Sequence, residues 1–448
     1  MLDGRSPALV DANLLAALVD ASLLPALVDA NLLPGWHSCH RACLDATKKP
    51  TCRPAPADAS VPRSPLGFLP VTLPVPLPAS RRRFLQLAGA GLAVAGSGLP
   101  QLGHTQPATA AAPAPAEGAV LLNFNECPYG PSPAAQQAAR DSIAGCGRYR
   151  FALAGRVRDA FIEQARIPAD HVRLYPGSSE PLNRAAVLWT GPQAGLVVAD
   201  PTFETLGEVA AAHGAHVQKV PLREDGAHDL RAMVAAAHAR PTGLLYVCNP
   251  NNPTGSISPP DELAWLLAHK PASTRVLVDE AYLQYSDQPS LITQVTQRDD
   301  LIVLRTFSKL YGMAGLRLGV AAAHPDRLRE LASLGDNPLP VPALAAALAS
   351  LRDPQLIPQR RLQNATVRQA TIAWLGKRGF SCVPSEANCF IVDVQRDGSA
   401  FAKAMAENGV VIGRSWPIWP QRVRVTVGTE EEMAAFRRAF AKVAGVPA

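Results

Sequence analysis

Short unbroken apolar runs alternate with longer segments of helical character through the middle of the chain. The runs are Leu196 to Ala199, Leu244 to Val247, Val276 to Val278 and Leu301 to Leu304, and among them lie the helix-like Leu206 to Ala212, Leu230 to His238 and Glu262 to His269. Apolar runs this short, without polar alternation, fit strands buried on both faces. Strands that alternate with helices predict an α/β fold, a mostly parallel central sheet with helices on both faces. From about Pro338 the pattern changes to a long helix, short strands near Phe390 to Val394 and Val423 to Val427, and a closing helix. That predicts a smaller C-terminal α+β domain. The expected division is an N-terminal arm over 117–150, a large domain over 151–337 and a small one over 338–448.

The chemistry sits where the apolar runs end. Thr306-Phe307-Ser308-Lys309 follows one run, with Arg317 downstream. A lysine forms a Schiff base with an aldehyde only when its amine is unprotonated, and burial together with a neighbouring cation depresses its pKa towards that state. Asp279, in Asp279-Glu280-Ala281-Tyr282, closes another run. A carboxylate there is costly unless paired, and a protonated pyridine nitrogen is one partner that would keep it charged. Gly177-Ser178-Ser179-Glu180 precedes a helix expected over Leu182 to Trp189. Such a turn can cradle a phosphate on backbone amides and hydroxyls, or can simply cap the helix. In Asn249-Pro250-Asn251-Asn252-Pro253-Thr254-Gly255 two prolines fix a rigid loop after a strand. Phe203, in Asp200-Pro201-Thr202-Phe203, could stack on a ring or belong to the core. Arg422 and Arg424 alternate with valines, so both lie on one strand face, where one could clamp a carboxylate.

Jointly these motifs carry a resemblance. Asn125-Glu126-Cys127-Pro128-Tyr129-Gly130-Pro131, Arg148-Tyr149, and the Gly-Ser-Ser-Glu, Pro-Thr-Phe, Asn-Asn-Pro-Thr-Gly, Asp-Glu-Ala-Tyr, Ser-Lys and Arg424-Val425-Thr426-Val427-Gly428-Thr429 segments follow in order. From about Val120 onward the chain resembles a fold-type I, pyridoxal-phosphate-dependent aminotransferase of class I/II, and within that group the histidinol-phosphate aminotransferase family. The resemblance implies pyridoxal 5'-phosphate as cofactor, held by Lys309 as a Schiff base, with Lys309 also moving the substrate proton. It implies Asp279 on the pyridine nitrogen, Asn252 and Tyr282 on the phenolic oxygen, and Phe203 stacked on the ring. Ser178, Ser179, Ser308 and Arg317 would hold the phosphate, joined by Thr306. Arg424 would take the substrate's anionic group, and Arg414 would be a second substrate-binding arginine near the site. Tyr149 would reach in from a neighbouring subunit, which implies a homodimer with shared active sites acting on an amino donor and a 2-oxo acid. Two departures, Cys127 where Asn is common and Phe203 where Tyr is common, bear on the substrate. The same scaffold also serves decarboxylases of amino-acid phosphates and, more remotely, sensor domains of DNA-binding regulators.

Composition adds limits. The 448 residues are 48% hydrophobic and 18% charged, with a formal charge of +6. Basic and acidic residues are too evenly matched to predict a nucleic-acid surface. Residues 1–116 hold 16 of the 42 prolines and no Glu, and begin with a nine-residue repeat, Ala8 to Ala16, Ala17 to Pro25 and Ala26 to Pro34. This predicts that 1–79 is a low-complexity extension, disordered or translated from upstream DNA. Over 80–116, Ser80-Arg81-Arg82-Arg83-Phe84-Leu85 and the Gly/Ala-rich run Leu87 to Leu99 resemble a twin-arginine export signal with small-residue cleavage options at Ala108 to Ala116. The expectation is a periplasmic or exported protein, the alternative a cytoplasmic one. The run is too short and Gly-rich for a stable membrane span. The spacing of His37, Cys39, His40 and Cys43 fits no zinc pattern, so no metal is expected.

Overall fold

The computed structural model describes residues 118–447, so the repeat and the export-like segment lie outside the described residues. Strand β1 (Val120–Leu122) leads into helices α1 (Pro133–Ser142) and α2 (Phe151–Ala165). Then follow β2 (Val172–Tyr175), α3 (Ser179–Trp189), β3 (Gly195–Asp200), α4 (Thr205–Ala212), β4 (Val217–Pro221), α5 (Leu230–Ala239) and β5 (Thr242–Cys248). The pattern continues with α6 (Pro260–His269), β6 (Arg275–Asp279), β7 (Leu301–Thr306), β8 (Gly319–Ala323) and α7 (Pro325–Ala332). Helices α8 (Val341–Leu351) and α9 (Leu356–Gly376), β9 (Cys389–Asp393), α10 (Gly398–Glu407), β10 (Val410–Ile412), β11 (Arg422–Thr426) and α11 (Glu430–Ala444) complete it.

Seven strands form the central sheet in the order β2-β8-β7-β6-β5-β3-β4. β8 runs antiparallel to both of its neighbours, while the pairs from β7 to β4 are parallel. The mostly parallel sheet is therefore present. Its strands read as continuous apolar runs because both faces are covered. Val197, Val247, Val276, Val303 and Val320 face a core shared with α5, α6 and α8, whereas Leu196, Tyr246, Leu277, Ile302 and Ala321 face a second core with α3 and α7. Period-two alternation sends each strand's side chains to opposite layers.

Local chemistry sets the helix starts. Ser132 and Asp229 accept N–H groups of the first turns of α1 and α5, and Thr429 with Glu432 forms a capping box on α11. The single long helix expected after Pro338 is two helices. Pro354 stands between α8 and α9, where a proline without an N–H ends helical bonding. α8 is also buried in the large core through Ala343, Leu344 and Ala347, packed against α1 and α2. The C-terminal layer pairs β9 with β11 antiparallel, and β1 joins β10 in parallel, Val120 opposite Val410. The start of the described chain is thereby stitched to its last third, with Leu122 in the core of that layer.

Candidate active site

A cavity of about 300 Å³ opens beyond the C-terminal ends of β5, β6 and β7. Parallel sheets favour sites at this edge, because loops from neighbouring strands converge there. Eleven of the residues singled out from the sequence line it: Ser178, Ser179, Phe203, Asn252, Asp279, Tyr282, Thr306, Ser308, Lys309, Arg317 and Arg424.

One end is built to receive an anion. Ser178 caps α3 without a side-chain capping bond, so its hydroxyl is not engaged by the helix. Gly177 has φ +89°, and a Cβ there would sit 2.3 Å from Arg317 Nη2. A Cβ on Gly319 would fall 2.3 Å from the Ser178 amide nitrogen. Both glycines let the guanidinium and the helix N-terminus approach each other, which concentrates positive potential. Arg317 Nη1 donates to the Ala314 carbonyl at 2.9 Å and to Ser308 Oγ at 3.4 Å. Thr306 Oγ1 accepts the Ser308 N–H at 3.0 Å and shapes the turn that carries Lys309.

The other end holds an acid and an amine. Asp279 is buried; Oδ1 accepts the Ala281 N–H at 3.1 Å and Oδ2 accepts the Tyr246 hydroxyl at 3.2 Å. Both donors are neutral. Burial pushes its carboxyl up to about 6, against those hydrogen bonds and the Lys309 charge. Lys309 moves the opposite way: burial, then the Arg424 guanidinium, lower its amine to about 8. Its Nζ donates to the Phe124 carbonyl at 3.1 Å and lies 5.5 Å from the centre of the Tyr282 ring. Arg424 Nη1 donates to Asn252 Oδ1 at 2.7 Å, and Nη2 donates to the Asn123 carbonyl. A guanidinium has five N–H donors, so this arginine keeps capacity for a further anion.

Tyr149 and Arg414 are not brought to this cavity. Tyr149 is 65% exposed and packs at a tilt beside Phe151, ring centres 5.7 Å apart. Arg414 pairs with Glu204 and lies over the Trp416 ring. The site also contains residues to which sequence reasoning gave no role. Phe124, Glu126 and Cys248 line the wall. Tyr246 supports Asp279, and its polar tip inside an apolar strand was the available signal. Arg360, from α9, donates to the carbonyls of Gly130 and Leu310 at 2.7 Å each and ties the Asn-Glu-Cys-Pro loop to the lysine loop. No signal in the sequence pointed to it. Among the described residues no His/Cys/Asp/Glu group could hold a metal ion, and no helix is long and apolar enough to cross a membrane.

The sequence profile of the family "Aminotransferase class I and II" matches residues 117–440. The chain belongs to the class I and II aminotransferases. This aminotransferase is 37% identical over 326 residues to histidinol-phosphate aminotransferase 1 of Nitrosococcus oceani, covering 71% of this chain and 87% of that protein. It is 36% identical over 330 residues to the histidinol-phosphate aminotransferase of Symbiobacterium thermophilum, covering 73% and 91%. A crystal structure of histidinol-phosphate aminotransferase from Sinorhizobium meliloti in complex with pyridoxal-5'-phosphate shares the fold, with TM-score 0.69, 24% identity and coverage of 73% and 91%. The fold is that of the fold-type I enzymes, and pyridoxal phosphate is the cofactor. The cavity fits that group: a glycine-lined anion cradle at one end, a buried acid without a charged donor at the other, and an amine of lowered pKa. The decarboxylase and sensor readings are not favoured: the relatives at 36–37% identity are aminotransferases, whereas L-threonine-O-3-phosphate decarboxylase from Porphyromonas gingivalis shares only the fold, at 20% identity and TM-score 0.63.

Proposed function

We propose that this aminotransferase exchanges an amino group between a 2-oxo acid and an anionic amine, histidinol phosphate or an amino acid of similar reach. The observation that carries this reading is Arg424, half-buried in the cavity wall with Lys309, with guanidinium donors still free. The histidinol-phosphate aminotransferases among its relatives support histidinol phosphate as the amine. When bound, the cofactor supplies an electron-withdrawing ring that stabilises negative charge on the substrate's α-carbon. Asp279, ionised, would hold the ring nitrogen, and Ser178, Ser179, Ser308 and Arg317 the phosphate, with Thr306 fixing the turn that carries Ser308. Asn252 and Tyr282 would direct hydrogens at the phenolic oxygen, and Phe203 would cover the ring. Lys309 would hold the aldehyde carbon and, once released, carry the proton on Nζ. Arg424 would bind the anion and set which substrate bond faces the ring.

Turnover of histidinol phosphate against a panel of aromatic and acidic amino acids, and of amines without an anionic group, tests the substrate. Preference for a neutral amine would defeat the proposal. Arg424→Lys should raise KM for the anionic substrate about tenfold or more, with a smaller loss in kcat, because an ammonium cannot make the bidentate contact. An unchanged KM would show that the anion binds elsewhere.

A homodimer with shared sites is part of the proposal. Tyr149 and Phe151, 65% and 71% exposed, form an aromatic pair that a partner's site could receive. Sedimentation should give a dimer, and a monomer with full activity would exclude sharing. Export is proposed on Arg81-Arg82-Arg83 and the apolar run after it. Replacing these arginines by lysines should retain the protein in the cytoplasmic fraction. Export would separate the enzyme from cytosolic metabolites and favour free amino acids as substrates.

A further inference from the structure

Asn125 is 1% exposed and sits between β1 and the cavity with φ +54°, a left-handed conformation that asparagine tolerates better than most residues. Its backbone N–H donates to Thr426 Oγ1 at 2.9 Å, and its carbonyl accepts Asn388 Nδ2 at 2.9 Å. Thr426 Oγ1 in turn donates to Asn125 Oδ1 at 3.2 Å. With the oxygen so engaged, Nδ2 is left facing Tyr282 OH at 3.2 Å, Cys389 Sγ at 3.2 Å and Asn252 Oδ1 at 3.4 Å.

These contacts decide which way two neighbouring groups point their hydrogens. Arg424 Nη1 is a donor only, so the Asn252 atom 2.7 Å from it is the amide oxygen. Asn125 Nδ2 approaches the same oxygen, which leaves Asn252 Nδ2 as the end without a protein acceptor among the described residues. The Tyr282 hydroxyl accepts from Asn125, so its own hydrogen is free to donate. Both residues line the cavity. We infer that Asn125 is a positioning residue that sets Asn252 and Tyr282 as hydrogen donors towards the cofactor's phenolic oxygen. Its anchors, Thr426 and Asn388, belong to the C-terminal layer, so the seating of that layer fixes the donor directions on the large sheet. The inference rests on the roles proposed for Asn252 and Tyr282.

Asn125→Asp keeps the shape and replaces a donor by an acceptor, which would draw the Tyr282 hydrogen away from the cavity. Two quantities are read on the full-length protein: the dissociation constant for pyridoxal phosphate, and the pH at which the visible band of the loaded protein changes. Lys309, Asp279, Glu126, Tyr282, Arg317, Arg424, Cys248 and Cys389 are the titratable and charged groups around this space. An oxyanion depends most on its donors when the neighbouring nitrogen has lost its proton, so weaker donation favours the protonated form. The expected result is roughly tenfold weaker cofactor binding and a transition moved up by about one pH unit. Asn125→Gly, which suits the backbone angle, should move both in the same direction by less, and decides the matter alone if the Asp variant does not fold. Unmoved binding and transition pH, or a lower Tm with an unmoved transition, would overturn the inference. Asn252→Ala is measured beside them. If it too is silent, the roles proposed for Asn252 and Tyr282 fail; if it responds while the Asn125 variants do not, only this inference fails.

Discussion

Lys309→Ala is expected to lower kcat by at least about 10⁴-fold, because it removes the one side-chain amine among the described residues of the cavity wall and with it both covalent attachment and proton transfer. The environment that makes Lys309 reactive also gives the pH dependence its sign. Burial and Arg424 both disfavour the ammonium, which brings the amine to about 8. At pH 7 about a tenth of it is unprotonated, and the fraction grows through pH 8, so the rate of cofactor loading should rise about fivefold from pH 7 to pH 8 and level off above pH 9. An unperturbed lysine would still be gaining beyond pH 10. Loading is read from the visible absorbance of the attached cofactor. A small primary amine added to the alanine variant should restore part of the turnover, since the open cavity admits it. Activity within tenfold of wild type in Lys309→Ala would assign the chemistry to another group.

How far this site could be read in the sequence depends on the kind of contact that builds it. Residues carried by loops at the ends of buried strands were legible, because each apolar run ends in chemistry: Asp279 after Val276 to Val278, Ser308 and Lys309 after Leu301 to Leu304. The strands run one or two residues further than their apolar cores, to Asp200, Asp279 and Thr306, since backbone pairing continues into polar positions that hydrophobicity does not mark. Contacts between distant segments were not legible. Nothing local says that Val120 will pair with Val410, that α8 will pack against α1 and α2, or that Arg360 will hold the Gly130 carbonyl. Asn125 and Glu126 stood inside a motif read from the sequence, yet a role for Asn125 emerges only once Thr426 fixes which end of its amide faces Tyr282. Arg414 shows the converse: matching a motif gave it a role near the site, and it pairs with Glu204 outside the cavity.

Asp279→Asn is expected to lower kcat roughly 10³-fold, because a neutral amide cannot hold a positive charge on the ring nitrogen and the loss of a buried charge partner is worth several kcal/mol. The variant also isolates a stability effect with a definite sign. In the protein without cofactor, burial raises the Asp279 carboxyl to about 6, above its unfolded value near 3.8. Between those two values the folded state keeps a proton that the unfolded state releases. Ionisation therefore works against the fold, and this residue's contribution is full below about pH 4, falls as pH rises through about 6, and levels off about one unit higher. The amide of the variant does not titrate. The Tm of the cofactor-free wild type should accordingly drop relative to Asp279→Asn between about pH 4 and about pH 7. Loading pyridoxal phosphate should cancel or reverse the difference, since the ring's positive charge then favours the ionised carboxylate. A Tm difference that is flat with pH in the cofactor-free pair would mean that Asp279 is already ionised there, and a wild-type kcat in Asp279→Asn would mean that the ring nitrogen is held by something else.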